Sequence, residues 1–169
     1  MPRVGIALGS NLGDRLANLM AAAELLREIA IPGAVFLQAP IYQTEPLACP
    51  LGSPLFYNSV VEMEFEGSPL DLLAFTQTIE KKLGRAASNE RNAPRIIDVD
   101  LLYFGDLTVN SDALNIPHPR IDDRRFVLQP LADIRPDLVL PGKPQSIRER
   151  LSSFQSDEPP LVPVTPDAK

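Results

Sequence analysis

Apolar residues recur along this chain at spacings of two and of three to four, and the changes between the two spacings mark its elements. Arg3 to Leu8 is a short apolar run that reads as a buried strand, ended by Gly9-Ser10-Asn11-Leu12-Gly13-Asp14. From Asp14 to Ala30, the side chains of Leu16, Leu19, Met20, Ala23, Leu26 and Ala30 return at helical spacing, and Pro32-Gly33 closes that helix. Val35 to Gln43 mixes β-branched and aromatic residues and reads as a strand. Tyr57 to Phe65 reads as another, with Val61, Met63 and Phe65 on one face, and Thr44 to Pro54 is a Pro- and Gly-containing loop between them.

Ser68-Pro69-Leu70-Asp71 is a helix start, with Ser68 as N-cap, Pro69 at the first helical position and an acid at the third. Gly84 is its stop. Arg85 to Ala93 holds no apolar residue larger than alanine, so it predicts a mobile loop. Ile96 to Phe104 is the best strand candidate in the chain, and short helices are expected from about Arg125 and around Ser146 to Phe154. The order strand, helix, strand, strand, helix, strand predicts an α+β fold. Its form is a ferredoxin-like sandwich with helices on one face of an antiparallel sheet. Residues 1–155 form one domain in this reading, and residues 156–169, with four prolines, a disordered tail.

At 169 residues and 44% hydrophobic content, the chain suits a single core. Its 22 acidic and 16 basic residues give a net charge of −6, which argues against nucleic acid as a partner and leaves small, locally bound polyanions. Cys49 is the lone cysteine, so an internal disulfide is excluded and a reducing cytoplasm is expected. Neither a secretory signal nor a membrane span is expected, and a monomer is.

The candidate chemistry centres on Asp98 and Asp100, two acids inside the apolar run. On a strand they share one face, with Cα atoms roughly 6.6 Å apart. Like charges so placed need positive partners. Either they lie on a solvated face paired with Arg85, Arg91 and Arg95, or they hold a pair of hard divalent ions with phosphate oxygens. Those three arginines bracket the preceding loop and suit a phosphate clamp, since guanidinium grips phosphate bidentately. Gly9-Ser10-Asn11 reads either as an anion site at a helix N-terminus or as a tight turn with a cap. His118, the only histidine, sits between Pro117 and Pro119 and is a hydrogen-bond donor candidate for a phosphate. Phe56, Asn58 and Phe126 could form a slot that reads a flat heterocycle, although core packing is the default explanation for both phenylalanines.

Four blocks together resemble the 6-hydroxymethyl-7,8-dihydropterin pyrophosphokinase family of folate biosynthesis. They are Ala7 to Asp14; Tyr42-Gln43-Thr44-Glu45-Pro46 with Phe56-Tyr57-Asn58; Gly84-Arg85 with Pro94-Arg95-Ile96-Ile97-Asp98-Val99-Asp100-Leu101; and Ile116-Pro117-His118-Pro119-Arg120 with Arg124-Arg125-Phe126-Val127-Leu128. The resemblance runs from Val4 to about Val139. It implies two Mg²⁺ ions held by Asp98 and Asp100, phosphates clamped by Arg85 and Arg95, and ATP held by Gln77, Arg91, His118 and Arg124. It further implies a pterin between Phe56 and Phe126, beside Gly9 and read by Asn58, Thr44 and the backbone around Pro46 and Leu47. The implied reaction moves a diphosphate from ATP to the pterin hydroxymethyl group and releases AMP. Relatives often carry tryptophan where Asn92 stands, an aromatic residue where Pro119 stands, and basic residues where Ala87 and Ser88 stand. A metal-dependent phosphohydrolase and a non-enzymatic ligand-sensing module are the competing expectations.

Overall fold

A computed structural model describes residues 2–44, 55–84, 96–155 and 161–164. Thus Pro46, Leu47, Arg85, Arg91 and Arg95, all but Thr44 of the loop expected at Thr44 to Pro54, and the loop expected at Arg85 to Ala93 lie outside the described residues. In chain order the elements begin with β1 (Arg3–Ser10), α1 (Arg15–Ile29), β2 (Leu37–Gln38), β3 (Tyr42–Thr44), β4 (Phe56–Glu64) and α2 (Pro69–Lys82). There follow β5 (Asp98–Phe104), β6 (Val109–Asn110), β7 (Asn115–Ile116), a 3₁₀ turn (Ile121–Asp123), α3 (Arg125–Ile134), α4 (Ile147–Ser152) and β8 (Val162–Pro163).

The main sheet runs β5-β1-β4-β3-β8, with β2 also on β4, and its pairings are antiparallel. That is the strand order of the expected ferredoxin-like fold, with two departures. The stretch Val35 to Gln43 is two short strands, because Pro40 interrupts it and offers no backbone donor. Consequently the Asp pair falls on the fifth strand rather than the fourth.

The expectation that helices cover one face is corrected. One core gathers Ile6, Leu8, Val61, Met63, Val99 and Leu101 with Leu19 and Leu26 of α1 and Leu72 and Ile79 of α2. A second core, on the opposite face, gathers Val60, Leu102 and Tyr103 with Ile121, Val127, Leu128 and Leu131 of the α3 region and Ile147 of α4. Consecutive buried residues on β4 and β5 are the signature of a sheet covered on both sides. On α1 the buried stripe is Leu19, Ala22, Ala23 and Leu26, while Leu16 and Met20 are exposed. The capping box predicted at Ser68 and Asp71 is formed, and Ser146 and Glu149 form a second one on α4. Inside the stretch expected to be a disordered tail, β8 pairs with β3.

Beneath the second core lies a buried charge. Glu62 is 1% exposed, accepts from the Tyr103 hydroxyl at 2.6 Å and is ion-paired with Arg135 and, at 3.4 Å, with Arg3. Burial, and then the neighbouring Glu62 charge, raise the Tyr103 pKa well above its usual value, so the phenol is a fixed donor. Tyr103 reaches Glu62 by crossing β1 at Gly5, which faces both residues in the register. A Cβ at Gly5 would stand 2.1 Å from the ring. The Gly5→Ala variant is therefore expected to lose about 1–3 kcal/mol of stability, read from the urea unfolding midpoint.

Candidate active site

Because β1 is bonded along both edges, its register decides which side chains meet. Gly9 lies opposite Asn58 on β4 and opposite Asp98 on β5; two residues earlier, Ala7 lies between Val60 and Asp100. Asn58, Gly9 and Asp98 thus form one row across three strands, with roughly 10 Å between the outer Cα atoms at two strand spacings. Val99 and Leu101 point into the first core, so both carboxylates point to the α3 face. Asp98 is half-buried and Asp100 exposed, so the pair stands at the open end of the sheet.

Asn58 is 7% exposed, and its amide donates to the Thr44 hydroxyl at 2.6 Å. A Cβ at Gly9 would stand 2.8 Å from the Asn58 Oδ1, with Phe56 Cδ1 the next nearest atom at 3.7 Å. Glycine is needed at this position because the amide and the Phe56 ring lie against its backbone. Phe126, half-buried at the start of α3, packs on the second core, and the Arg124 guanidinium lies 5.5 Å from its ring centroid. Two of the expected pterin-side residues, Pro46 and Leu47, lie outside the described residues, while Gly9, Thr44, Phe56 and Asn58 are brought together.

Among the described residues, Arg124 is a cation that interacts with the Asp pair. Burial lowers its pKa, while the charges of Asp100 and, less strongly, Asp98 raise it, so the guanidinium lies within electrostatic reach of both carboxylates and stays charged. Arg85, Arg91 and Arg95, expected in that role, lie outside the described residues. His118 is set beside the same strand: its backbone N–H donates to the Leu102 carbonyl at 2.7 Å. Its Nδ1 accepts from the Arg120 N–H at 3.1 Å, which leaves Nε2 to carry the ring proton of the neutral imidazole. Gln77 is exposed on α2, three residues before Glu80, whose carboxylate accepts the Val99 N–H at 3.0 Å and fixes α2 to the edge of β5.

Three positioning contacts were missed by the sequence reading. One is Glu80 on Val99. The others are Ser10 and Asn18, which both donate to the Ile96 carbonyl two residues before Asp98. Asn18 also donates to the Leu12 carbonyl at 3.0 Å. The expected turn at Gly9-Ser10-Asn11 is corrected: Gly9 and Ser10 are the pinned end of β1, and the helix that follows is capped by an acid, Asp14, accepting from Ala17 N–H. A polar residue one turn into a helix after a Gly-Ser-Asn segment was the available signal for Asn18.

The donor set bears on what ion could be held. Among the described residues no three His, Cys, Asp or Glu side chains gather as a metal cage. Two carboxylates at an open sheet end suit instead a hard divalent ion that keeps water and phosphate oxygens as its other ligands.

The chain matches the family model described as 7,8-dihydro-6-hydroxymethylpterin-pyrophosphokinase (HPPK) over residues 5–136. It is 39% identical over 139 residues to a Pseudomonas aeruginosa protein named 2-amino-4-hydroxy-6-hydroxymethyldihydropteridine pyrophosphokinase, covering 82% of this chain and 84% of that one. A Pneumocystis carinii protein named folic acid synthesis protein fol1 is 38% identical over 164 residues; the match covers 96% of this chain but only 21% of that longer protein. In fold, the chain is similar to a solved structure titled as HPPK-DHPS in complex with substrates. That likeness has TM-score 0.71 and 15% identity, over 90% of this chain and 43% of the other.

Burial, together with the charges of Arg124 and Arg120, lowers the His118 pKa below its usual 6.5. The unfolded chain takes up this proton first, so the stability contribution is full above about pH 6.5 and is lost as pH falls from there to the folded value. As the chain has a single histidine, its ring proton NMR titration should show a midpoint below 6.5. His118→Gln should flatten the decline in urea midpoint over that window.

Proposed function

The chain belongs to the 7,8-dihydro-6-hydroxymethylpterin-pyrophosphokinase family. From that premise we propose that it transfers the diphosphate of ATP to the hydroxymethyl group of 6-hydroxymethyl-7,8-dihydropterin. The observation that carries this reading is the row Asn58, Gly9, Asp98. It sets a heterocycle-reading amide and a carboxylate pair on one sheet face, separated by the width of a small ring substrate.

In this reading the pterin lies between Phe56 and Phe126 against the bare backbone of Gly9. Asn58, fixed by Thr44, presents its Oδ1 and remaining N–H to the ring edge, and Pro46 and Leu47 complete the slot. Gln77, Arg91, His118 and Arg124 hold ATP, with the Nε2 proton of His118 as a neutral donor to phosphate oxygen. Asp98 and Asp100 would hold two Mg²⁺ ions arriving with the nucleotide. When bound, the ions neutralise phosphate charge and acidify the attacking hydroxyl. Arg85 and Arg95 act as the remaining clamp on the transferred group.

The hydroxymethyl oxygen attacks the β-phosphorus in line and loses its proton, the bond from the β-phosphorus to the α,β-bridging oxygen breaks, and AMP departs. Such a reaction asks the protein for alignment and charge, which the site's residue types offer, and asks for no protein nucleophile. The same reading gives the chain a monomeric, cytoplasmic life. Its lone cysteine suits a reducing compartment, and the β5 edge is occupied by Glu80 and His118. Among the described residues, no helix is long and apolar enough to cross a membrane.

Incubation with Mg-ATP should yield AMP, followed by chromatography, only when the hydroxymethyl pterin is supplied. Orthophosphate release without pterin would instead mark a phosphohydrolase. Asp98→Ala and Asp100→Ala should each lower kcat by about 10²–10³-fold or more with the thermal midpoint unchanged. Near-normal turnover in either variant would remove the carboxylates from the mechanism. For Asn58→Ala, calorimetry should show pterin affinity lowered by about tenfold, a loss of one to two hydrogen bonds, with ATP affinity as in the parent. An equal loss for both ligands would refute the slot.

A further inference from the structure

Residues 161–164 take no part in the chemistry above, yet they lie along the same sheet. Val162 faces Gln43 and Pro163 faces Tyr42 across an antiparallel pairing, and the Val164 N–H donates to the Ile41 carbonyl at 2.7 Å. Hydrogen-bonded and non-hydrogen-bonded pairs alternate along such a ladder. The bond at Ile41 therefore makes Tyr42 and Pro163 a non-bonded pair. Proline's missing N–H then costs nothing toward β3, and its nitrogen faces the outer edge, where a further strand would need a donor.

The strand so covered matters to the site. β3 is three residues long, and its inner edge pairs Tyr42 with Asn58 and Thr44 with Phe56. Thr44 is its last residue and accepts the Asn58 amide. A strand this short, bonded on one edge only, is held by few cross-strand bonds and belongs to the low-stability end of a fold. Pairing with β8 adds bonds on its second edge.

We propose that β8 is a positioning element of the pterin subsite. By pairing along the outer edge of β3, with the Val164 N–H bonded to the Ile41 carbonyl at the start of that strand, it holds Thr44 where it orients the amide of Asn58. This rests on the pterin reading of Asn58 and Thr44 and assigns the C-terminal segment a role in substrate affinity. A segment that only covered the sheet edge would alter stability or self-association without distinguishing the two substrates.

The test uses full-length protein. Val164→Pro removes the donor and Val164→Ala retains it. Val164→Pro should raise the pterin KM, and the Kd for pterin alone, about fivefold, the effect of one net hydrogen bond, with kcat and the ATP KM at parental values. Val164→Ala should match the parent. Coupling is reciprocal, so pterin alone should slow hydrogen exchange at the Val164 amide in the unsubstituted chain, whereas ATP alone should not. The exchange measurement needs no variant to fold. Parental pterin affinity in Val164→Pro, equal weakening of both substrates, or no pterin protection at Val164 would each overturn the inference. Absence of AMP formation by the unsubstituted chain would overturn the functional reading instead.

Discussion

The double bonding of β1 is the constraint on which the rest depends. A strand hydrogen-bonded along both edges cannot slip against one neighbour without breaking its ladder with the other, and a one-residue slip would turn every side chain to the wrong face. With apolar cores on both sides of the sheet, such a slip is penalised twice. The row Asn58, Gly9, Asp98 is thus fixed by burial elsewhere in the same strands, not by contacts among the three residues themselves. The carboxylates inherit their position from Val99 and Leu101, and Asn58 from Ser59 and Val61.

Two glycines on β1, four residues apart and on the same face, give that strand its open surface. At Gly5 the gap is filled by the Tyr103 ring on its way to Glu62; at Gly9 it lies under the Asn58 amide and beside Phe56. One gap serves structure and the other stays at the open end of the sheet. The buried Glu62 cluster is weak evidence for added stability, since desolvating a carboxylate offsets much of what its partners return. Its clearer effect is geometric, because it ties β1, β4, β5 and the end of α3 at one point.

Much of this was legible in the sequence. Helix α2 announced both its cap and its stop, through Ser68, Asp71 and the positive-φ Gly84, and the alternation through Asp98 and Asp100 showed the shared face. Other features were not legible, for physical reasons. Pro40 divides a run that composition alone reads as continuous. The two-residue strands β6, β7 and β8 are too short to show a period, and β8 exists only through its tertiary partner. The second core was hidden because short α3 and α4 follow the last long strand, where no strand-helix alternation shows which face they cover. Nor does sequence distance show that Arg124 lies within electrostatic reach of Asp100, twenty-four residues earlier.

Helix α3 explains how those separate strands act as one site. Its N-terminal flank carries Arg124, which is within electrostatic reach of the carboxylates of β5. Near its C-terminus Asp133 accepts the Tyr42 hydroxyl of β3, and burial followed by that bond raises the Tyr42 pKa to about 12. One residue past its end, Arg135 pairs with Glu62 of β4. Each contact alone contributes about 1–3 kcal/mol at most. Attached near both ends, the ten-residue helix is held against three strands, with Val127, Leu128 and Leu131 in the core between. Displacing the helix would disturb Arg124, Tyr42 and Glu62 together. The phosphate side and the heterocycle side of the site are therefore held in one frame, although no contact between Asn58 and Asp98 is needed to achieve it.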